Sequence, residues 1–288
     1  MPATQPGSGS TVRRILLGSQ LRRLREAKGI TREEAGYEIR ASESKISRME
    51  LGRVSFKERD VADLLTMYGV IDETERTALL GLAAEANAQG WWHNYNDILP
   101  GWFQVYVGLE EAASVIRTYE VQFVPGLLQT SDYARAVIIA GQPSASPAEV
   151  DRRVGLRMQR QQILFRDKPP RLWVVLDEAA LRRPIGGHEV MRDQVRHLIE
   201  MAALPNVTVQ IMPFRFGAHA AEGGPFLLLR FPESDLPDVV YLEQLTSALY
   251  LDKRDEVDAY TEVMDRLSVD GMPPDKSVDL LQRILKEG

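Results

Sequence analysis

Hydrophobic positions in the first part of the chain recur at three- and four-residue spacing, which is typical of amphipathic helices. Polar caps at the starts of these segments, and glycines after several of them, predict where each helix begins and ends. Thr31 and Ser42 are predicted N-caps, and Glu34 completes a capping box with Thr31. Caps included, the five predicted helical segments are residues 12–28, 31–39, 42–52, 57–68 and 72–87. The pattern predicts a compact all-helical domain.

The rest of the chain mixes helical spacing with short β-type runs. The β-type runs are residues 172–176, 207–212, 226–231, 239–242 and 248–251. The helical patterns are residues 109–120, 131–140, 147–165, 189–203, 255–267 and 276–285. We predict a multidomain chain with an N-terminal all-α five-helix domain and a mixed α/β (α+β) C-terminal domain. Its predicted parts are a disordered tail at 1–11, the helical domain at 12–89, a linker at 90–101 and the α+β domain at 102–288.

Composition narrows the class of protein. The longest apolar stretches fall far short of the roughly 20 residues that span a bilayer, and the start of the chain lacks the apolar segment of a signal peptide. The chain has no cysteine, which excludes disulfides, thiolate metal sites and cysteine nucleophiles. We therefore expect a cytoplasmic protein without a membrane partner.

The net charge of −6 is unevenly distributed. Residues 13–59 carry 13 basic and seven acidic residues, a local balance of +6. The other 22 basic and 34 acidic residues give the remaining chain a balance of −12. This asymmetry favours contact of the basic residues 13–59 with phosphates and disfavours such contact by the acidic remainder of the chain.

Residues 31–53 are predicted to form a helix, a three-residue turn and a second helix. In a helix-turn-helix, the first helix braces against the DNA backbone and the second presents its N-terminal residues to base edges in the major groove. The polar residues of the second helix fall on or near one exposed face: Glu43, Ser44, Ser47 and Arg48. Ile46 and Met49 turn inward. Arginine can bind guanine through two donors, and serine can bind several bases.

At these residues the sequence resembles the phage-repressor-like, or xenobiotic-response-element, family of helix-turn-helix regulators. The matching motifs are Gln20-Leu-Arg-Arg-Leu-Arg25, Gly29-Ile-Thr31 and Ser42-x-Ser-Lys-Ile-Ser-Arg-x-Glu-x-Gly52, within about residues 13–69. The resemblance implies that Arg32 and Arg53 meet phosphates and that Glu43, Ser44 and Arg48 approach bases. It also implies a structural ion pair between Arg25 and Glu50.

The predicted partner is double-stranded DNA. The residues that we assign to its binding surface are Arg32, Ser42, Glu43, Ser44, Lys45, Ser47, Arg48 and Arg53. The turn departs from the family, because Gly36 stands where alanine is usual and Arg40 where glycine is usual. A positive φ at Arg40 would cost about 1 kcal/mol, so either the turn differs or packing compensates.

The second part of the chain resembles the C-terminal domain of actinobacterial antitoxin-like regulators, over about residues 95–285. The matching segments are Trp91-Trp-His93, Tyr119-Glu-x-x-x-Val-Pro-Gly-Leu-Leu-Gln-Thr130, Leu172-Trp-Val-Val-Leu-Asp-Glu-Ala-Ala-Leu181 and Pro225-Phe226. In that family the domain follows the same helix-turn-helix. The resemblance implies a small acidic partner protein encoded nearby.

Candidate chemistry in this part is sparse. Asp177 and Glu178 directly follow a predicted strand, where an anion or metal site is one reading, but we favour Asp177 as a helix cap. His188 and His197 are nine residues apart and point to opposite sides of one helix, and a zinc-protease motif is absent. The loop 215–224 around His219 reads better as a plain connection than as a ligand lid. We predict no metal, cofactor or catalytic residue.

Each of two larger clusters allows a structural and a functional interpretation. The arginines 152, 153, 157, 160 and 166 favour a solvated helix face over a second nucleic-acid surface. The aromatic residues are Trp91, Trp92, Tyr95, Trp102, Phe103 and Tyr106. They favour an interdomain or dimer contact over ligand stacking.

Our hypothesis is a sequence-specific transcriptional regulator, not an enzyme, associated with the nucleoid when bound to DNA. Its C-terminal domain would form a homodimer and sense a partner protein or a small ligand. One alternative is an antitoxin-like protein that neutralises a small partner and autoregulates its operon. A second alternative is an enzyme domain tethered to DNA.

Overall fold

The computed structural model describes residues 8–87, 90–232 and 236–287. The described residues divide into two compact units, one of residues 8–87, 90–94, 103–112 and 236 and the other of 95–102, 113–232 and 237–287. Residues 1–7 of the predicted tail and 88–89 at the predicted domain boundary lie outside the described residues. The predicted class, a helical N-terminal region followed by an α+β domain, is confirmed.

Within its described residues, the N-terminal region consists of five α-helices. They are α1 (Ser8–Ala27), α2 (Arg32–Glu38), α3 (Glu43–Glu50), α4 (Glu58–Met67) and α5 (Glu73–Ala86). Helix α1 packs against α3 and α5, and α2 packs against α3 and α4. Their apolar faces form one core in which Leu21, Ile46 and Leu64 are almost completely buried. This core, rather than the helix propensity of such short segments, holds α2 and α3 in place.

The first helix begins earlier than the sequence predicts, because α1 starts at Ser8, within the predicted tail. After α5, a 3-10 helix covers Trp91–Tyr95 and α6 covers Gly101–Ala112. Both fall in or next to the segment that was predicted to be a linker.

In the described part of the second unit, six strands form one mixed sheet. Its strands are β1 (Val115–Glu120), β2 (Arg171–Asp177), β3 (Val207–Met212), β4 (Phe226–Arg230), β5 (Val239–Glu243) and β6 (Ala248–Leu251). The spatial order is β3-β2-β1-β4-β5-β6. The first three are parallel, and β4, β5 and β6 continue the sheet antiparallel. Thr118 at the centre of β1 lies opposite Val174 of β2 and Leu227 of β4.

Six further α-helices among the residues that the structure describes connect and cover these strands. They are α7 (Ser131–Gly141), α8 (Pro147–Arg160), α9 (Glu178–Arg182), α10 (His188–Ala202), α11 (Arg254–Asp270) and α12 (Pro274–Glu287). Val257, Met264 and Leu267 of α11 pack on one face of the sheet, against a core that includes Val175 and Val240. Helix α12 packs on α10 and on β3.

The predicted helix over residues 109–120 is wrong. Helix α6 ends at Ala112, and Val115–Glu120 form β1 at the centre of the sheet. The apolar residues Leu109, Ala112, Ile116 and Tyr119 recur at three- and four-residue spacing, which mimics a helix across the junction. Paired strands on both sides of β1 override that local pattern.

Candidate nucleic-acid interface

Side-chain caps set the starts of both helices of the helix-turn-helix. The backbone N–H of Glu34 donates to Oγ1 of Thr31 at 3.2 Å, and the N–H of Thr31 donates to Oε2 of Glu34 at 2.7 Å. Ser42 caps α3 by accepting from the backbone N–H of Lys45 at 3.2 Å. The predicted capping box and the second cap are therefore present, and α3 begins at Glu43, directly after its cap.

The turn between α2 and α3 keeps a left-handed residue, because Arg40 has φ 54°. The other departure from the family, glycine at position 36, has a steric explanation. A Cβ at this position would lie 2.7 Å from the carbonyl oxygen of Ala41. The same segment is closed by a 2.8 Å hydrogen bond from the N–H of Ala41 to the carbonyl of Gly36. The turn is therefore tightened at Gly36 and strained at Arg40.

Replacing Arg40 by glycine should stabilise the protein by about 0.5–1 kcal/mol. The left-handed conformation costs a non-glycine residue about 1–2 kcal/mol, and glycine removes that cost. Glycine also loses more chain entropy on folding, which offsets about 0.5–1 kcal/mol of the gain in stability. Thermal unfolding of the full chain measures the change. Arg40→Ala is the control, because it keeps the Cβ and should bring no gain. An equal gain in both variants would place the strain in the arginine side chain instead of the backbone.

The recognition surface of α3 has the polarity that the sequence predicts. Glu43, Ser44 and Arg48 are exposed, as is the cap Ser42. Lys45 and Ser47 are half-buried, and Ile46 and Met49 are buried to 1% exposure. The Nε of Arg48 donates to the carbonyl of Ser44 at 3.2 Å, which lays the guanidinium along the exposed face.

A buried carboxylate joins the three helices behind this surface. Glu50, at the end of α3, accepts from Nε and Nη2 of Arg25 at 2.5 and 3.1 Å, and from Nε of Arg32 at 2.9 Å. Nη1 of Arg25 also donates to the carbonyl of Ile30 at 2.8 Å. The bonds to Glu50 hold the pKa of Arg25 above its ordinary value. We call Arg25, Arg32 and Glu50 the Glu50 hub, and it fixes α1, α2 and α3 to one another.

Arg32 and Lys45, both assigned to DNA, also form ion pairs with carboxylates of the same unit. Arg32 uses its Nε in the Glu50 hub, and Nζ of Lys45 lies 2.6 Å from Oδ2 of Asp60 in α4. Sequence reasoning missed both contacts, because the partners lie 18 and 15 residues away in the chain. Arg53 follows Gly52, whose φ of 64° ends α3, and it is half-buried.

In the second unit, Asp177 is the cap that the sequence favours. Its Oδ1 accepts from the backbone N–H of Ala179 at 2.8 Å, at the start of α9. The two histidines of α10 stand nine residues apart, His188 exposed and His197 half-buried. Within the described parts of the chain, no group of three or more histidine, aspartate or glutamate side chains could hold a metal ion.

The sequence did not predict a contact between a tyrosine and a histidine in this unit. The Tyr119 hydroxyl lies 2.8 Å from Nε2 of His219 and 3.4 Å from Oδ2 of Asp177. Nδ1 of His219 accepts from the N–H of Ala221 at 3.2 Å, so Nε2 carries the proton in the neutral ring. Burial and, secondly, the charge of Asp177 raise the pKa of Tyr119. His219 and Tyr119 are 100 residues apart, and no local pattern joins them.

The arginines of α8 do not form one solvated face, contrary to the prediction. Arg152 is exposed and pairs with Asp97, and Arg153 pairs with Glu149 at 2.8 Å. Arg157 donates to the amide oxygen of Gln129 at 2.8 Å. Arg160 is only 5% exposed. The inner members of the series are thus part of the packing of this unit.

The aromatic residues of this segment belong partly to the first unit and partly to the second. Trp91 and Trp92 meet edge to face at 5.9 Å, and Phe103 and Tyr106 lie 5.3 Å apart, all in the first unit. Tyr95 belongs to the second unit, where its hydroxyl donates to Gln159 at 3.1 Å. Trp102 also belongs to the second unit. The interdomain or dimer role of the cluster stays a prediction.

Among the described helices, none combines the length and the apolar character that crossing a membrane requires. This finding is independent of the site described above.

Comparison with known proteins assigns both parts of the chain. A family model described as a helix-turn-helix domain matches residues 16–79, which contain α2, the turn and α3. A model described as a domain of unknown function, DUF5753, matches residues 103–283 and so covers more than half of the chain. No curated protein and no solved structure matches the chain. The chain belongs to the DUF5753 family and carries a helix-turn-helix domain ahead of that domain.

Proposed function

We propose that this protein is a sequence-specific DNA-binding transcriptional regulator of the phage-repressor-like type. The observation that carries the proposal is the exposed polar face of α3, presented from a helix that the Glu50 hub and the apolar core hold rigid. Preorganised side chains on a rigid helix are what base readout in the major groove requires. The matched helix-turn-helix domain supports the same reading.

In this proposal the surface residues divide into three groups. Glu43, Ser44 and Arg48 read base edges. Arg32 and Arg53 meet phosphates, the former through the N–H groups that the Glu50 hub does not use. Ser42, Lys45 and Ser47 complete the surface. Phosphate contacts fix the register of the protein and carry no sequence information, whereas base contacts specify the site.

Arg48→Ala should weaken binding to the preferred DNA site by about 1–3 kcal/mol, because a bidentate contact to guanine has that magnitude. The preferred site is first selected from random duplexes with the full chain, and affinities are then measured by fluorescence anisotropy. The affinity of this variant for a scrambled duplex should fall far less. Arg23→Ala is the matched control, since it removes an equal charge from an exposed arginine of α1. Equal losses on both duplexes for Arg48→Ala would contradict the base-reading role.

We infer that the C-terminal domain dimerises. One helix-turn-helix makes few base contacts, and two copies about 34 Å apart on one face of the DNA are the usual solution. The edge strand β6, with Leu249 53% exposed, supports an association of this kind. Sedimentation of the full chain measures it, and a monomer at the concentrations that saturate DNA would contradict it.

The same domain is proposed to sense a partner protein or a small ligand, and we assign no reaction to it. In the antitoxin-like alternative, its main task is to bind a small acidic protein and DNA binding serves autoregulation. The native protein is captured together with its co-purifying partner, and the DNA binding of the complex is then measured. This experiment distinguishes a regulator from an antitoxin.

The contact among Tyr119, His219 and Asp177 favours an enzymatic alternative, because convergent polar side chains at the ends of β1 and β2 suit acid–base chemistry. Tyr119→Phe tests it. If the domain is a sensor, the variant keeps DNA binding and partner capture. A turnover that the native protein performs and Tyr119→Phe loses would establish the enzyme.

A further inference from the structure

A small cavity in the second unit is lined by α9, α10 and α12. Its volume is about 190 Å³. Leu181, Met191 and Val195 are buried and form its floor, and the half-buried Ile284 and Leu285 of α12 form a wall. A cavity of about 150 Å³ is large enough to hold benzene. The volume of this solvent-open pocket and its buried apolar residues therefore suit one aromatic ring or an aliphatic body of similar volume.

Positive charge lies at the rim of this cavity. His188, Met191, Arg192 and Val195 all line it from α10, and their three- and four-residue spacing places them on one helix face. Met191 and Val195 point to the floor, while His188 and Arg192 are exposed at the rim. Arg192 has no ion pair with any residue that the structure describes. An uncompensated guanidinium beside apolar surface favours an anionic group there.

A second guanidinium at the rim already holds two carboxylates. Nη1 of Arg182 donates to Oε2 of Glu287 at 2.9 Å, and its Nε and Nη2 donate to Oε1 of Glu178 at 3.1 and 3.0 Å. The Glu287 side chain is 58% exposed, and exposed ion pairs are weak. Glu287 is therefore a carboxylate that a ligand can displace.

We propose that this cavity binds a small organic monoanion with an apolar body the size of an aromatic ring and one carboxylate. The apolar body lies on Leu181, Met191 and Val195. The carboxylate binds Arg192 and takes the place of Glu287 on Arg182. This inference rests on the proposed function only in making the ligand an effector of a DNA-binding regulator; the binding site itself stands on the cavity.

Titration calorimetry of the full chain with benzoate tests the site. Benzoate should bind, while acetate, which lacks the apolar body, and benzyl alcohol, which lacks the charge, should bind at least about tenfold more weakly. No benzoate binding at about 10 mM, where even a millimolar Kd would register, overturns the site. Equal affinity for acetate overturns the role of the cavity, and equal affinity for benzyl alcohol overturns the role of the charge.

Two exposed variants should move the affinity in opposite directions. Arg192→Gln should weaken benzoate binding about tenfold, because it removes a charge-assisted hydrogen bond. Glu287→Gln should strengthen it by about threefold, the scale of one exposed ion pair, because it removes the internal competitor. Glu262→Gln is the matched control, since Glu262 is an exposed partner of Arg266 elsewhere and should change nothing. Weaker binding in Glu287→Gln, or none of these changes, would overturn the assignment.

The effector role is measured separately by the DNA affinity of the full chain with and without saturating benzoate. A shift that Arg192→Gln abolishes supports it. Unchanged DNA affinity with benzoate bound would overturn the sensing role and leave the site intact. Absence of DNA binding by the ligand-free and the benzoate-bound protein would instead contradict the proposed function.

Discussion

Replacing Glu50 by alanine will destabilise the helix-turn-helix domain by about 3–5 kcal/mol, because removal of one partner of a buried ion pair leaves the others uncompensated. The Glu50 side chain is 2% exposed and accepts hydrogen bonds from both Arg25 and Arg32. Its loss leaves the largely buried Arg25 guanidinium without a carboxylate on that side. A domain is stable by only about 5–15 kcal/mol, so this loss is a large fraction of the total.

Thermal and urea unfolding of the full chain, followed by far-ultraviolet circular dichroism, measure this effect. Glu26→Ala is the matched control, since Glu26 also lies next to Arg25, at 3.4 Å, but its side chain is 52% exposed. Its loss should cost less than about 1 kcal/mol, as for other exposed ion pairs. DNA binding by Glu50→Ala should fall only in proportion to the unfolded fraction. Unchanged unfolding with abolished DNA binding would make Glu50 a contact residue.

The helix-turn-helix was predictable because its signals are local. Thr31, Glu34 and Ser42 satisfy backbone N–H groups within three residues of themselves, so their spacing in the sequence carries the information. The inward positions Ile46 and Met49 follow from helical periodicity alone, and both are buried. Five predicted β-type runs also became strands, since each is short, apolar and bounded by turn residues.

The contacts that modify the site were not predictable, because they join distant parts of the chain. Nothing in the sequence near Lys45 shows that Asp60 neutralises it, and nothing near Arg32 shows that Glu50 has two arginine partners. Tyr119 and His219 meet only because β1 lies beside β2 and β4 in the folded sheet. The same non-local pairing explains why β1 was taken for a helix: its environment, not its spacing, makes it a strand.

The second large effect concerns the place where α1 crosses the end of α3. A Cβ at Gly18 would lie 2.5 Å from the carbonyl oxygen of Met49 and 2.6 Å from that of Glu50, closer than real side chains come to backbone atoms. These carbonyls end α3, and Glu50 is tied to α1 and α2 by the Glu50 hub, so the backbone cannot yield cheaply. Only glycine allows this approach of the two helices.

Gly18→Ala should therefore lower stability by about 1–3 kcal/mol, the usual cost of overpacking, even though alanine is the better helix former by about 1 kcal/mol. Gly81→Ala on α5 is the matched control: Gly81 is exposed, and a Cβ there meets nothing within 4 Å. This variant should instead gain about 0.5–1 kcal/mol from helix propensity alone. Thermal unfolding of both variants should thus show shifts of opposite sign. If Gly18→Ala also raised the melting temperature, the close approach of α1 to α3 would be wrong, and with it the position from which α3 presents its polar face.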